Sequence, residues 1–227
     1  MTALPEPAAA AVAVDVAVFT VLEGALCVLL VNVRHGPFAG WWALPGGRVR
    51  AEEPLDGAAA RELREQTGLR DIYLEQLYTF GSPQRDPQGR VVSVAYVALI
   101  HHRGRFQNPP PSDKYSQVAW RPVGSLPPLA YDHVAVVRTA VERLQAKLEY
   151  TNLVYTLLPR AFTLGELQAM YEAILGRALD RRNFRRKILS TGLLRPLGRL
   201  RRGAHRPAAL HGFRWRRPMM ISILKGR

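Results

Sequence analysis

Apolar residues along this chain follow two rhythms. Over 12–20 and 25–33, β-branched and other apolar residues follow one another almost without a break. Runs of that length and type predict buried strands, and Glu23-Gly24 between them predicts a tight turn. Two further strands are predicted over 72–80 and 91–100, separated by the Gly/Pro-rich loop 81–90. A short strand follows over 115–121, then a turn at Leu126-Pro127-Pro128-Leu129. The period lengthens over 132–149, where Val136, Val137, Ala140, Val141 and Leu144 share one helical face. A second helix is predicted over 56–67 from its helix formers, with Gly68 as its stop. Strands and helices interleaved in this way predict a mixed α/β domain over 12–149.

From residue 150 the pattern is different. Thr163-Leu164-Gly165-Glu166 carries a capping-box signal. It opens a helix with Leu164, Leu167, Met170, Tyr171, Ile174 and Leu175 on one side, ended by Gly176. Asp180 then caps Arg181-Arg182-Asn183-Phe184-Arg185-Arg186-Lys187-Ile188-Leu189. Two helices joined by a Gly-containing turn predict a helix-turn-helix. Phe184 and Ile188 would face the core, with Leu189 supporting them from the flank. Two short strands, 193–197 and 210–215, flank the basic segment 198–207, which reads as a wing. Phe213 and Trp215 are expected in the core of that wing.

Charge sharpens this division. Residues 1–149 hold 15 Lys/Arg and 15 Asp/Glu, whereas residues 150–227 hold 17 and 3, so the net charge of +14 lies in the last third. A basic module beside a neutral one points to a polyanionic partner, nucleic acid before membrane. Arg and Asn on the exposed face of the second helix suit base edges in a major groove, and Lys suits phosphate. The DNA-contacting candidates are Arg181, Arg182, Asn183, Arg185, Arg186 and Lys187. Arg199, Arg201, Arg202 and His205 of the wing join them. Cys27, the one cysteine, sits in an apolar run and reads as a buried thiol. No apolar stretch is long enough to cross a bilayer, and residues 1–11, rich in Ala and Pro, are expected to be disordered. A reduced, cytoplasmic setting fits these features.

The chemical signal lies in 47–69. Gly47 is followed by five residues and Glu53, then by seven residues and Arg61-Glu62-Leu63-Arg64-Glu65-Gln66-Thr67-Gly68-Leu69. Glu62, Glu65 and Gln66 fall at i, i+3 and i+4, which puts them on one helical face. This segment resembles the Nudix box, a loop-helix-loop whose carboxylates hold Mg²⁺ for diphosphate cleavage. Every fixed position matches except Gln66, where the family has a third helical Glu. An amide oxygen ligates poorly and neutralises nothing. The degenerate box (Glu53, Arg61, Glu62, Glu65, Gln66) therefore predicts no catalytic residue. Weak metal ligation by Glu62 and Glu65, and weak residual pyrophosphatase activity, are the most it allows.

A Nudix box followed by a basic winged helix is similar to the NrtR family of Nudix-related bacterial transcriptional regulators. Two stretches extend the resemblance: 77–96, and 161–167 with Asp180-Arg181-Arg182-Asn183-Phe184-Arg185-Arg186-Lys187. The resemblance implies an α/β Nudix-like sandwich (12–149) followed by a C-terminal winged helix-turn-helix domain (150–227). It implies a homodimeric, nucleoid-associated repressor of NAD-biosynthesis genes that binds palindromic promoter DNA. Its Nudix domain would sense ADP-ribose or a related nucleotide. No cofactor is required, Mg²⁺ arriving with a bound nucleotide being the one addition contemplated. Some relatives regulate sugar catabolism, and an active Mg²⁺-dependent hydrolase of ADP-ribose is the other alternative. For a diphosphate ligand, cations and aromatic faces are needed. Arg34, Arg85 and Arg90 are candidates for phosphate, Asp86 for ribose, and Trp41, Tyr78 and Phe80 for stacking. Gly47, Glu62 and Glu65 complete the expected cradle.

Overall fold

The computed structural model describes residues 9–101, 113–201 and 207–220. Its first unit is built on a seven-stranded sheet of order β3 (Trp42–Ala43), β2 (Ala25–Val33), β1 (Ala11–Leu22), β6 (Val91–Leu99), β5 (Glu75–Phe80), with β4 (Gly46–Arg48) added to β1 and β7 (Tyr115–Pro122) to β2. The long strands β1 and β2 form a hairpin. Glu23 (φ 49°) and Gly24 (φ 79°) both take positive φ at its turn, the geometry that matches the twist of two-residue hairpins. Between them and the helix α1 (Leu55–Thr67) lie the short strands β3 and β4, which no periodicity announces. Next come β5, β6, β7 and the helix α2 (His133–Tyr150). β6 runs parallel to β1, and the other pairings are antiparallel.

Alternate residues of β1 point to opposite faces, as strand geometry requires. Val14, Val16 and Val18 pack on Ala58, Ala59 and Leu63 of α1. Ala17 and Phe19 pack with Val136, Val137, Ala140 and Leu144 of α2. A sheet covered by a helix on each face explains why its central strands are apolar throughout. Gly68 (φ 73°) ends α1, its N–H donating to the Arg64 carbonyl.

The second unit contains β8 (Phe162–Thr163), α3 (Leu164–Leu175), α4 (Arg181–Ser190), β9 (Leu194–Arg201) and β10 (Ala208–Phe213). Its three strands pair in the order β8-β10-β9. The capping box forms: Thr163 Oγ1 accepts from the Glu166 N–H at 3.1 Å, and Glu166 Oε2 accepts from the Thr163 N–H at 2.8 Å. Thr163→Ala is expected to cost about 1 kcal/mol, the usual worth of an N-cap hydroxyl, read as a lower urea midpoint at unchanged slope. Asp180 caps α4, accepting from the Asn183 N–H at 2.8 Å. Phe184 and Ile188 are buried against Tyr171, Ile174 and Phe162. That apolar cluster runs on into α2 and the sheet, and Gln145 Nε2 donates to the Ile174 carbonyl at 3.0 Å across the junction.

Several expectations need correcting. Leu189 is 50% exposed and gives no flank support, because the helix turns it past the edge of the core. Trp215 is 45% exposed beyond the end of β10, leaving Phe213 alone in the wing core. β5 starts at Glu75, not at 72, after a turn in which Asp71 takes φ 54°. Ala11, assigned to the disordered tail, opens β1, its N–H donating to the Arg90 carbonyl. Residues 1–8 lie outside the described residues.

Candidate functional site

A cleft of about 680 Å³ opens where β4, the loop after β5 and the start of α2 meet. That size suits a small organic ligand. Its floor includes Gly46, Gly47 and Asp15, and its walls carry Arg48, Lys114, Tyr115, Arg85, Asp86, Tyr131 and His133. β4 can run this close to β1 and α1 only because its first two residues, Gly46 and Gly47, lack side chains. A Cβ on Gly46 would stand 2.7 Å from Asp15 Oδ1 and nearer still to the Val14 carbonyl, and one on Gly47 would strike the Glu62 carboxylate.

Behind the floor lies a buried charge network. Arg85 donates from Nη2 to Asp15 Oδ2 at 2.9 Å and to Asp132 Oδ1 at 2.8 Å, and from Nε to both Asp132 oxygens at 3.2 Å. Ser93 Oγ donates to Asp15 Oδ2 at 2.6 Å. His133 Nε2 lies 3.2 Å from Asp15 Oδ1, while its Nδ1 accepts from the Leu44 N–H at 2.9 Å. The accepted N–H at Nδ1 fixes the ring proton on Nε2, directed at Asp15. Burial raises the Asp15 carboxyl, but the His133 ring, the Arg85 guanidinium and the Ser93 hydroxyl more than offset it and leave it at about 2. Asp132 precedes α2 yet makes no cap, since Arg85 takes its carboxylate.

The box helix is organised around Arg61. Its Nε donates to Glu53 at 2.9 Å, Nη2 to Glu53 at 2.5 Å, and Nη1 to Glu62 at 2.6 Å. Hydrogen bonds from Arg61, against a smaller opposing effect of desolvation, hold the Glu53 carboxyl at about 2. Glu62, Glu65 and Gln66 do not act as one face. Glu62 and Gln66 are buried against Gly46 and Gly47, while the Glu65 side chain is 45% exposed and only 3.6 Å from Arg61 Nη1. Both Glu62 oxygens already accept, one from Arg61 and one from Gln66. Among the described residues, no group of three His, Cys, Asp or Glu is placed to hold a metal ion. This donor set does not fit Mg²⁺, which calls for converging anionic oxygens.

The cleft collects only some of the expected ligand contacts. Gly47, Arg85 and Asp86 line it. Arg85, however, has Nε and Nη2 committed to carboxylates, so a phosphate would have to compete with two buried partners. Arg90 lies outside the cleft lining, and its Nη1 donates to the Gly81 carbonyl at 2.7 Å. Tyr78 stands 59% exposed on β5, edge-on to Phe80, and neither ring lines the cleft. Arg34 is exposed and also lies outside the lining. Trp41 stacks edge-on to Phe38, whose ring is 4.6 Å from Tyr131 at the cleft wall. The sequence reading missed Asp15, Arg48, Lys114, Tyr115, Tyr131 and His133. Asp15 had a signal, being the only ionisable residue in Ala11–Leu22. Tyr131 takes φ 54°, a strained conformation for an aromatic residue of the kind that gathers at ligand sites.

On the second unit, α4 exposes Arg181, Arg182, Asn183 and Arg186, with Arg185 and Lys187 half-buried. Arg186 Nη2 donates to Asn183 Oδ1 at 3.0 Å. Arg181, Arg182 and Arg185 line an open groove against the start of α3 and β10. Arg185 Nε and His211 Nδ1 of that groove are shielded from solvent without a hydrogen-bond partner. Such atoms are costly to leave unpaired, and phosphate oxygens would satisfy donors there. Arg199 is exposed on the wing, whereas Arg201 pairs with Glu166 and also donates to the Ala161 carbonyl. In this structure Arg201 braces β9 against α3. Arg202 and His205 lie outside the described residues.

Comparison with known proteins supports the two-unit division. Residues 10–144 match the NUDIX domain family, and residues 154–213 match the NrtR DNA-binding winged helix domain. The chain is 39% identical over 202 residues to the ADPR responsive transcriptional repressor NtrR of Acinetobacter baylyi, covering 88% of this chain and 80% of that protein. It superposes on Shewanella oneidensis NrtR complexed with a 27mer DNA with a TM-score of 0.76 and 35% identity, covering 89% of this chain and 93% of the other. The NUDIX domain of the same Shewanella protein, complexed with ADP ribose, aligns with 63% of this chain and 94% of its own length, at a TM-score of 0.56 and 36% identity.

Proposed function

This chain belongs to the NrtR family, and on that premise we propose that it is a DNA-binding transcriptional repressor governed by ADP-ribose or a related nucleotide. One observation carries the reading. A single chain joins a cleft of ligand size, walled by Arg48 and Lys114 and by the rings of Tyr115 and Tyr131, to a helix that exposes Arg182, Asn183 and Arg186. The cations suit a diphosphate and the rings suit a base or ribose face. Arg182 and Asn183 would read base edges from the major groove. Arg181, Arg185, Lys187 and Arg199 would hold phosphates. A homodimer would place two α4 helices on a palindromic promoter about one helical turn, roughly 10 bp, apart or a multiple of it.

The molecule acts as a sensor and not as a hydrolase in this reading. Gln66 stands where a third helical carboxylate would be, Glu65 turns outward, and Glu62 is fully paired. No cofactor is needed for sensing, and the setting is the bacterial cytoplasm at the nucleoid. NAD-biosynthesis genes are the regulated set we favour over sugar catabolism, because ADP-ribose, which the name of the Acinetobacter relative gives as its effector, is a product of NAD breakdown.

The deciding experiment titrates a labelled duplex from the protein's own upstream region, with a scrambled duplex as competitor. ADP-ribose, NAD⁺ and ribose 5-phosphate are added in turn. Preference for the upstream duplex, altered by ADP-ribose, is the expected result. Equal binding to both duplexes would sink the regulator reading. Rapid turnover of ADP-ribose by the native chain would restore the hydrolase alternative.

A further inference from the structure

The side chain of Gln66 is bonded at three points around one spot. Its Oε1 accepts from the Gly46 N–H at 3.0 Å, while Nε2 donates to the Gly46 carbonyl at 2.6 Å and to Glu62 Oε2 at 2.5 Å. Only this orientation of the amide serves all three partners. The reverse would set an oxygen against a carbonyl and a carboxylate, and an NH₂ against an N–H. Gln66 is 6% exposed and Glu62 is 3% exposed, so water does not share these bonds freely.

We propose that the Gln66 amide is a built-in replacement for a divalent cation, so that the cleft assembles and takes a diphosphate without metal. An NH₂ group has two hydrogens to give, and here each goes to one of the two oxygens a cation would otherwise draw together. A hard cation with oxygens at about 2.1 Å in octahedral array holds neighbouring oxygens about 3 Å apart. The Gly46 carbonyl and the Glu62 carboxylate likewise converge on one atom, Nε2, at 2.6 and 2.5 Å. The Gly46 segment cannot back away, because it is paired to β1 through Asp15 and packed against the Val14 carbonyl. A carboxylate at position 66 could still accept from the Gly46 N–H. Its second oxygen, however, would face a carbonyl and a carboxylate with no proton between them. With the new carboxyl ionised, a cation is what reconciles three such oxygens; the alternative is a proton held on it at the cost of a strongly raised pKa. Gln66→Glu therefore creates a metal requirement that the native chain lacks.

The test is a set of thermal melts of the full chain, native and Gln66→Glu, in EDTA and in millimolar Mg²⁺ or Mn²⁺. The native midpoint is expected to be the same in all three buffers. Gln66→Glu is expected to melt several degrees lower in EDTA, or to be unfolded there, and to recover with Mn²⁺. Gln66→Met removes the same bonds without adding charge, and it should be weakened equally with and without cation. A native chain stabilised by Mn²⁺ as much as Gln66→Glu would overturn the proposal. So would a Gln66→Glu chain that cation leaves unchanged, whether folded or unfolded. A second arm rests on the nucleotide-sensing reading: ADP-ribose should bind the native chain in EDTA within about twofold of its affinity in Mg²⁺, well under the tenfold that 1.4 kcal/mol represents. Binding that requires Mg²⁺ would overturn the proposal. Absence of ADP-ribose binding in both buffers would instead overturn the sensing reading, leaving the melts to decide the role of Gln66.

Discussion

Replacing Asp15 with Ala is expected to cost about 3–5 kcal/mol of stability, the range for breaking a buried ion pair from one side. The reason is what the substitution leaves behind. Arg85 would keep Asp132 but lose its inner carboxylate, and the His133 N–H and the Ser93 hydroxyl would lose their acceptor at a position only 6% exposed. Asp15→Asn should cost less, since an amide oxygen still accepts. Urea unfolding of the three chains at pH 7 measures the ranking, and a loss under about 1 kcal/mol for Asp15→Ala would show that the network contributes little. The pH dependence has a definite sign. The folded carboxyl lies at about 2 against an ordinary value of 3.8, so its stabilisation is complete above about pH 4 and disappears as pH falls towards 2. That shift corresponds to about 2 kcal/mol. Native protein should therefore lose more stability than Asp15→Asn between pH 5 and about pH 2.5. Parallel loss in the two chains would place the acid sensitivity elsewhere.

Asp15 also shows where sequence reading reached its limit. A lone carboxylate inside Ala11–Leu22 was visible, but its partners Arg85 and Ser93 stand 70 and 78 residues away and meet it only through the parallel β1–β6 pairing. From the sequence alone Arg85 is a candidate for phosphate contact on a loop. Features set by neighbours in the chain were legible: the Glu23-Gly24 turn, the Gly68 stop, the Thr163–Glu166 box and the Phe184–Ile188 face all follow from local rules. β8 was not legible, since two residues carry no period and form a strand only because β10 offers them an edge. The cleft lay between these cases. Its glycines belong to a recognisable motif, whereas Tyr131 and Lys114 reach it from segments whose sequences carry no mark of a ligand.

The cleft and the DNA-facing unit meet on one helix. Asp132 and His133 at the start of α2 belong to the charge network under the cleft, and Gln145 near its other end is bonded to α3. An 18-residue helix spans about 27 Å. A ligand that binds one position of the Asp132 end more tightly than another would shift the seat of α3, which is the differential contact that coupling between sites requires.

Affinity for the operator is expected to fall about 10³–10⁵-fold between 50 and 200 mM salt, as it does for proteins neutralising roughly six to ten phosphates. Arg181, Arg185, Lys187 and Arg199 from each half of a dimer would supply that number. Individual arginines should then separate by role. Arg182→Ala should cost about 1–3 kcal/mol on the upstream duplex and much less on a scrambled one, because a base reader carries discrimination. Arg199→Ala should weaken both duplexes alike and reduce the salt slope by about 1 per subunit. Arg201 provides the contrast that the sequence alone could not. Its guanidinium is engaged by Glu166 and the Ala161 carbonyl, so Arg201→Ala should leave the slope unchanged while lowering the stability of the wing. A slope that falls equally for Arg199→Ala and Arg201→Ala would mean that the Glu166 pair opens on DNA and that the wing grips the backbone with both.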